Sequence, residues 1–419
     1  MFIGIDDTDS RRKLCTTYLA TLLYEELKNN GFILDIPKLI RFNPSVKYKT
    51  RGNGGVSLRI LNYKREDFKF IKDLVIDFVE KYSDLEDENT NPGVVFLEHK
   101  NYKNHREILK NYYKEVLYNI VDVDYAEKII KLVNGYSIKY KLGRGIIGAL
   151  GAISSTPPYT YELIAYRYRD RWGTKRIIDE DSVIKMDKET FPYTFDNYDY
   201  ENKKILITPN TPCPVLYGIR GIDIKYLIDA HFLVKGEKSE RFLIFKTNHG
   251  TDAHLRYMKI KDIYPNTGVI VYGYLSEEPK NLEGGHVKFK LKDDTGEIDC
   301  IAYEPTKKFR DIIRELIVGD YIAVYGTVRE KPLTINIEKI KILKLAEKFE
   351  YIKECPLCGG TLKSKGRTTF KCKKCKSSFN KESVKKIIVE RNIKIGFYEV
   401  PPSARRHLSK PIQLIDLIS

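Results

Sequence analysis

Apolar positions recur along this chain at changing spacings, and the changes divide it. It opens on an apolar β-type run, Met1-Phe2-Ile3-Gly4-Ile5, which stops abruptly at acid. Leu19, Leu22, Leu23 and Leu27 then recur at helical spacing and predict a helix from Cys15-Thr16-Thr17 to about Asn29, closed by Asn30-Gly31. Residues 32–42 and 56–61 read as strands, and helical patterns at 67–82 and 105–118 flank an apolar strand at 93–97. A second unit begins near residue 136. Its glycine-rich stretch 143–152 reads as a helix whose small residues permit close packing on a sheet, 161–169 reads as the next strand, and the order βαββαβ fits a ferredoxin-like domain. From about residue 262 the spacing drops to two. Strands near 269–274, 286–291, 298–303, 321–327 and 333–337, with a helix-like stretch at 310–317 after the third, follow the OB-fold plan, which binds single-stranded nucleic acid on strand aromatics. The expected architecture is α+β and multidomain. It comprises an α/β unit over 1–135, a ferredoxin-like domain over 136–258, an OB-fold β-barrel over 259–347, a cysteine-bearing ribbon over 348–390 and a basic tail over 391–419.

Charge changes this picture by naming a partner class. Lys and Arg number 73 against 57 Asp and Glu, a formal charge of +16 with pI near 9.2. Most of that excess lies at the surface, where a polyanion feels it, so nucleic acid leads. A membrane is not expected, because no stretch approaches the roughly 20 apolar residues of a spanning helix. The start carries no signal-peptide pattern, and a cytosolic protein is expected. Among the cysteines, Cys355-x-x-Cys358 and Cys372-x-x-Cys375 form paired knuckles that predict a zinc ribbon with four thiolates on one Zn²⁺. Lys363, Lys365, Arg367, Lys371, Lys373, Lys374 and Lys376 keep its neighbourhood basic. Cys15, Cys213 and Cys300 have no partner at metal spacing and are expected as small apolar residues.

The candidate chemistry starts where the first apolar run ends. Asp6, Asp7 and Asp9 put three carboxylates in four positions, and their repulsion is relieved most readily by a divalent ion such as Mg²⁺ shared with substrate phosphates. An acidic turn is the alternative. Thr16 or Thr17 at the helix start would face this cluster, unless it serves only as an N-cap. Lys47-Tyr48-Lys49-Thr50-Arg51-Gly52-Asn53-Gly54-Gly55 mixes cations and glycines as a phosphate-approaching loop does, although a solvated hairpin has the same composition. Phe289, Tyr303 and Tyr325 are candidates for stacking bases, with Arg405 and Arg406 as a cationic stretch near the C-terminus. His249 and His254 lack a third metal ligand. Two further classes stay open: an OB-fold and zinc-ribbon protein that binds RNA or single-stranded DNA without catalysis, and a DxD phosphatase, whose motif wants Thr or Val where Arg11 stands.

One resemblance covers essentially the whole chain. Gly4-Ile5-Asp6-Asp7-Thr8-Asp9-Ser10, Cys15-Thr16-Thr17-Tyr18-Leu19, Lys49-Thr50-Arg51-Gly52-Asn53-Gly54, Arg144-Gly145-Ile146-Ile147-Gly148, the run 211–221 and Thr251-Asp252-Ala253-His254 resemble the archaeal isoleucine-tRNA 2-agmatinylcytidine synthetases. The resemblance implies a cytidine-kinase-like domain over 1–135, then the ferredoxin-like, OB-fold and zinc-ribbon domains. It implies an ATP-dependent carbon–nitrogen ligase acting on the wobble cytidine of the CAU anticodon of isoleucine tRNA. ATP would phosphorylate the C2 oxygen and the amine of agmatine would displace that phosphate, giving 2-agmatinylcytidine. Asp6, Asp7 and Asp9 match the family's metal and ATP cluster, and Thr16 matches a threonine that members autophosphorylate. Thr8, Ser10, Lys49, Arg51, Gly52, Asn53 and Gly54 are then candidates for ATP binding. Agmatine's planar guanidinium suits a carboxylate pair in the ferredoxin-like domain, for which Asp196 and Asp199 are the candidates. No obligate protein partner is implied.

Overall fold

The computed structural model describes every residue except Arg11, Arg12, Tyr48, Thr50, Arg51, Arg367 and Ser419, so the expectation for Arg51 lies outside the described residues. The first unit runs β1 (Phe2–Asp6), α1 (Thr16–Asn29), β2 (Lys38–Arg41), β3 (Gly54–Arg59), α2 (Phe68–Tyr82), β4 (Gly93–Leu97), α3 (His99–Asn104), α4 (Arg106–Tyr118), α5 (Val123–Leu132), β5 (Tyr136–Lys139) and α6 (Gly145–Ser154). Alternation along β1 decides how these pack. Ile3 and Ile5 join the core under α1 and α2, with Leu19, Leu23, Leu27, Ile71, Val75 and Val79. Phe2 faces the opposite core, under α4, α5 and α6, and strand alternation sends Gly4 and Asp6 that way too. Helix α6 can lie directly on the sheet because both surfaces lack Cβ atoms. A Cβ on Gly4 or Gly55 would overlap the α6 backbone, one on Gly145 would overlap β4, and one on Gly148 would overlap the Asp6 carboxylate. The glycine-rich helix thus serves close packing, as its composition predicts. The sheet it covers is β1, β3 and β4, and β5 pairs with β4, so a division at 135/136 separates two elements from the unit they complete.

The second unit contributes β6 (Thr160–Tyr166), α7 (Glu180–Thr190), β7 (Thr194–Phe195), β8 (Tyr198–Asp199), β9 (Lys204–Ile205), β10 (Val215–Gly221), α8 (Ile224–Leu233) and β11 (Arg241–Thr247). Its strands stand in the order β11-β6-β10-β7, and the first unit repeats that βαββαβ arrangement as β4-β1-β3-β2. Parallel pairing of β2 with β11 fuses both into one nine-stranded sheet.

The barrel follows as β12 (Leu255–Tyr257), β13 (Gly268–Asn281), β14 (Val287–Lys292), β15 (Glu297–Ala302), α9 (Phe309–Arg314), β16 (Tyr321–Arg329) and β17 (Thr334–Lys344). Pairing of β13 with β16 closes it, and α9 sits between the third and fourth barrel strands as expected for an OB-fold. The ribbon comprises β18 (Lys348–Tyr351), β19 (Leu362–Lys365), β20 (Thr369–Cys372), β21 (Ser378–Asn380) and β22 (Lys386–Val389). The chain then returns as β23 (Gly396–Glu399) on β17, so the expected tail is folded. Its last turn packs Leu414 and Ile418 on Phe195 of the second unit. No helix among the described residues is long and apolar enough to cross a membrane.

Candidate active site

The end of β1 and the end of β2 open into a cleft of about 970 Å³ between the two units, walled on its far side by the C-terminal segment. Asp6, Asp7 and Asp9 line it, together with Thr16, Lys49, Gly52, Asn53, Gly54, Asp196, Arg405 and Arg406. Sequence segments hundreds of residues apart therefore meet here.

Asp7 takes a left-handed backbone, φ 58°, which Asp tolerates better than bulkier residues and which turns the chain out of β1. Its N–H donates to Asp6 Oδ1 at 2.6 Å. Burial first, and the Asp7 charge next, hold the Asp6 carboxyl well above the usual carboxylate range. Burial likewise pushes Asp7 up to about 7, against Arg144, whose Nε lies 3.9 Å away. Buried carboxyls that resist ionisation together are what a divalent ion relieves. Next to them α1 begins. Its N-cap is Cys15, which makes no side-chain cap bond, and Thr16 Oγ1 instead accepts a hydrogen bond from Thr8 Oγ1 at 3.0 Å. The N-cap reading of Thr16 is thereby corrected: it is the first residue of the helix and lines the cleft at the start of α1, a place suited to phosphate.

Thr8 and Ser10 do not line the cleft; both are buried, and Ser10 closes the loop by donating to Lys13 O at 3.2 Å and accepting from Lys13 N at 3.1 Å. Lys49 lines the cleft with its ammonium on Pro44 O. Asn53 Nδ2 donates to Asn43 O at 3.0 Å, which shapes the loop beside Gly54.

The second unit adds a buried charge cluster that the sequence reading missed. Glu162 comes from β6 and Arg220 from β10, with Nε 3.5 Å from Glu162 Oε1. Arg41 Nε donates to His249 Nε2 at 2.9 Å, so the neutral imidazole carries its proton on Nδ1, 3.2 Å from Glu162 Oε2. His407 stacks on His249 with centroids 5.2 Å apart and accepts from Arg220 at 3.1 Å. Burial pushes His249 down to about 4, while His407 is exposed at the cleft rim. Burial opposes ionisation of Glu162, but His249, Arg220 and Arg41 outweigh it and hold the carboxyl at about 2. An acid inside an apolar strand, Tyr161-Glu162-Leu163-Ile164, was the one signal that could have found it.

Asp196 faces Arg220 at 3.8 Å and is paired with Arg405, whose other nitrogen reaches Glu399 at 2.6 Å. Carboxylates here already grip guanidinium groups. Asp199 lies outside the cleft lining: it is buried and accepts from Glu201 N, Asn202 N, Asn202 Nδ2 and Ser403 N.

Family models match this chain in three blocks: TiaS TCKD domain over residues 2–144, TiaS FLD domain over 143–254 and OB-fold nucleic acid binding domain over 269–343. A protein of Methanocaldococcus jannaschii named as the isoleucine-tRNA 2-agmatinylcytidine synthetase TiaS is 72% identical over 100% of this chain and 99% of that protein. The chain belongs to the TiaS family. A crystal structure of TiaS in complex with its isoleucine tRNA and ATP is similar with TM-score 0.87 and 42% identity, covering 98% of this chain and 96% of that one. A crystal structure of TiaS with the same tRNA, AMPCPP and agmatine gives 0.85 and 40% over the same shares.

The remaining sites expected of this TiaS-family chain divide. The four ribbon cysteines converge, with all their sulfurs within 4.8 Å of one another and Sγ–Sγ distances of 3.6 Å for Cys355–Cys375 and for Cys358–Cys372. Tetrahedral sulfurs about 2.3 Å from zinc stand roughly 3.8 Å apart, so the cluster fits that metal. Three RNA contacts are corrected. Phe289 is 1% exposed in the barrel core, Tyr325 is 7% exposed under Lys339, and Arg405 is buried on Asp196 and Glu399. Tyr303 is half-buried against His286, and Arg406 is half-exposed with Nε 3.3 Å from Glu338. The barrel rings that do face outward are Tyr257, Tyr272 and Tyr274.

Proposed function

We propose that the chain ligates agmatine to C2 of the wobble cytidine in the CAU anticodon of isoleucine tRNA, giving 2-agmatinylcytidine. The carrying observation is one cleft lined by Asp6, Asp7 and Asp9, of which Asp6 and Asp7 are reluctant to ionise, by the helix-start Thr16, and by carboxylates that bind guanidinium. A phosphoryl group passes from ATP to the C2 oxygen. The amine nitrogen then bonds C2, the C2–O bond breaks with phosphate leaving, and the nitrogen loses its proton. Asp6, Asp7 and Asp9 would hold Mg²⁺, which when bound neutralises phosphate charge. Thr16 offers its hydroxyl to phosphate; Lys49 and the 52–54 backbone flank the nucleotide, while Thr8 and Ser10 shape the loop.

Asp196 is assigned to the agmatine guanidinium, and Asp199 holds the turn after it. Cys355, Cys358, Cys372 and Cys375 hold Zn²⁺, and the ribbon lysines with Arg406 and Tyr303 contact tRNA in the cytosol. The test measures ATP consumption and nucleoside mass with isoleucine tRNA and agmatine added singly and together, in wild type and Thr16→Ala. Product that requires both substrates, and falls in the variant, is expected. ATP turnover indifferent to tRNA and agmatine overturns this reading in favour of a simple phosphatase.

A further inference from the structure

The end of the sheet opposite the cleft opens a second pocket of about 180 Å³, lined among others by Lys38, Arg59, His99, Tyr102, Lys103 and Lys246. It begins at Phe2, four residues from Asp6 along β1, or about 13 Å at the rise of a strand. Lys38 and Lys246 are register partners across the β2–β11 seam. Both ammonium groups lie over the Tyr159 ring, at 5.2 and 5.9 Å from its centroid. Like charges directly opposite on neighbouring strands repel, so this pairing works against the very contact that fuses the two units. Asp35 offsets it only in part. The one carboxylate of the lining, Asp35, lies 3.3 Å from Arg59, and among the described residues Lys38, Lys103 and Lys246 form no ion pair.

Lys38 donates to Ser155 O and Oγ at 3.1 and 3.0 Å, which fixes its ammonium at the pocket wall rather than in open solvent. Burial, then Lys246, pushes it down to about 8. Burial pushes His99 down to about 4, and the N-terminal ammonium of Met1, 3.0 Å from its Nε2, then Arg59 and Lys103 add to the effect. These groups feel a positive potential that Asp35 offsets only in part.

We propose that this pocket binds a phosphoryl oxyanion, with Lys38, Lys246 and Arg59 as charge partners and His99 and Tyr102 as ring donors. Its volume is below the roughly 300 Å³ at which sites for whole small molecules begin, which suits a phosphate group and not a complete nucleotide. Two sources carry that chemistry: an internucleotide phosphate of tRNA, and free inorganic phosphate.

The experiment follows the His99 C2–H resonance of the full-length protein while inorganic phosphate is added at constant ionic strength. It compares wild type with Lys103→Ala/Lys246→Ala, with circular dichroism as the check on folding. The expected result is a saturable shift, an upward move of the His99 titration, and at least tenfold weaker phosphate binding in the variant. A His99 resonance that responds to phosphate no more than to chloride overturns the site, as does a folded variant that binds phosphate like wild type.

A tRNA titration against salt separates the sources. If the tRNA backbone is the ligand, the variant's slope of log K against log salt falls by roughly 0.7–0.9 per lost phosphate contact, and phosphate competes with tRNA. If free phosphate is the ligand, the slope stays unchanged while phosphate binding is lost. Lys103 and Lys246 are outside the cleft, so failure here leaves the ligase reading standing.

Discussion

Asp7 combines a left-handed backbone with a carboxyl displaced from 3.8 to about 7 by burial. Each unit of displacement is worth about 1.4 kcal/mol against the ionised form. The neutral amide of Asp7→Asn relieves that cost, so the variant should melt no lower than wild type at pH 8 while its turnover falls at least a hundredfold with tRNA affinity kept. Calorimetry and ligation rates check the two halves. Glu162 has the opposite sign. Its carboxyl is held at about 2, below its ordinary 4.5, so its stabilising effect is complete above pH 4.5 and is lost as pH falls toward 2. Glu162→Gln strands Arg220 and Arg41, should cost about 3 kcal/mol at pH 7, and should flatten that acid limb in denaturant melts. The acids of 6–9 were legible because charge interrupts an apolar run. Phe289 was misplaced although its own alternation, Val287-Lys288-Phe289-Lys290-Leu291, already aims the ring inward with Val287 and Leu291.

Among the elements, α6 shows how a composition becomes a distance. Glycines on both surfaces let its backbone reach β1 and β3, which brings Gly148 against Asp6 Oδ2. Gly148→Ala must push the carboxylate or the helix away. The expected loss is about 1–3 kcal/mol of stability with a disproportionate drop in turnover, read from urea midpoints and single-turnover rates. The glycine pattern was visible in the sequence. Which sheet received the helix was not, because small residues fit any close neighbour, and the packing belongs to the first unit although the chain order suggests the second. The ribbon was readable down to its four converging cysteines because metal spacing is local. Cys358→Ser is expected to release the metal and unfold the ribbon, which elemental analysis and amide exchange measure. Retention of a full equivalent of zinc would contradict it.

At the scale of the whole molecule, the cleft takes walls from β1, the loop before β3, β6, β10 and the segment after β23. Glu162, Arg220, His249 and His407 carry no motif in common and meet only because two βαββαβ units share a seam and the C-terminal segment returns across it. That is why the chemistry of the first unit could be read locally and the chemistry of the second could not.

The ribbon is an insertion, for the chain leaves the barrel after Ala346 and re-enters it at Arg391, whose guanidinium donates to Ala346 O at 3.1 Å and pairs with the buried Asp320. To the barrel it is a loop of about 44 residues, 347–390, whose closure cost rises only as (3/2)RT ln n, roughly 0.6 kcal/mol per doubling of length. Such a segment can be cut out and its ends joined by a short turn, or exchanged for a different finger. The tRNA contacts proposed for the ribbon can therefore be regrafted at one splice point without redesigning the cleft behind it.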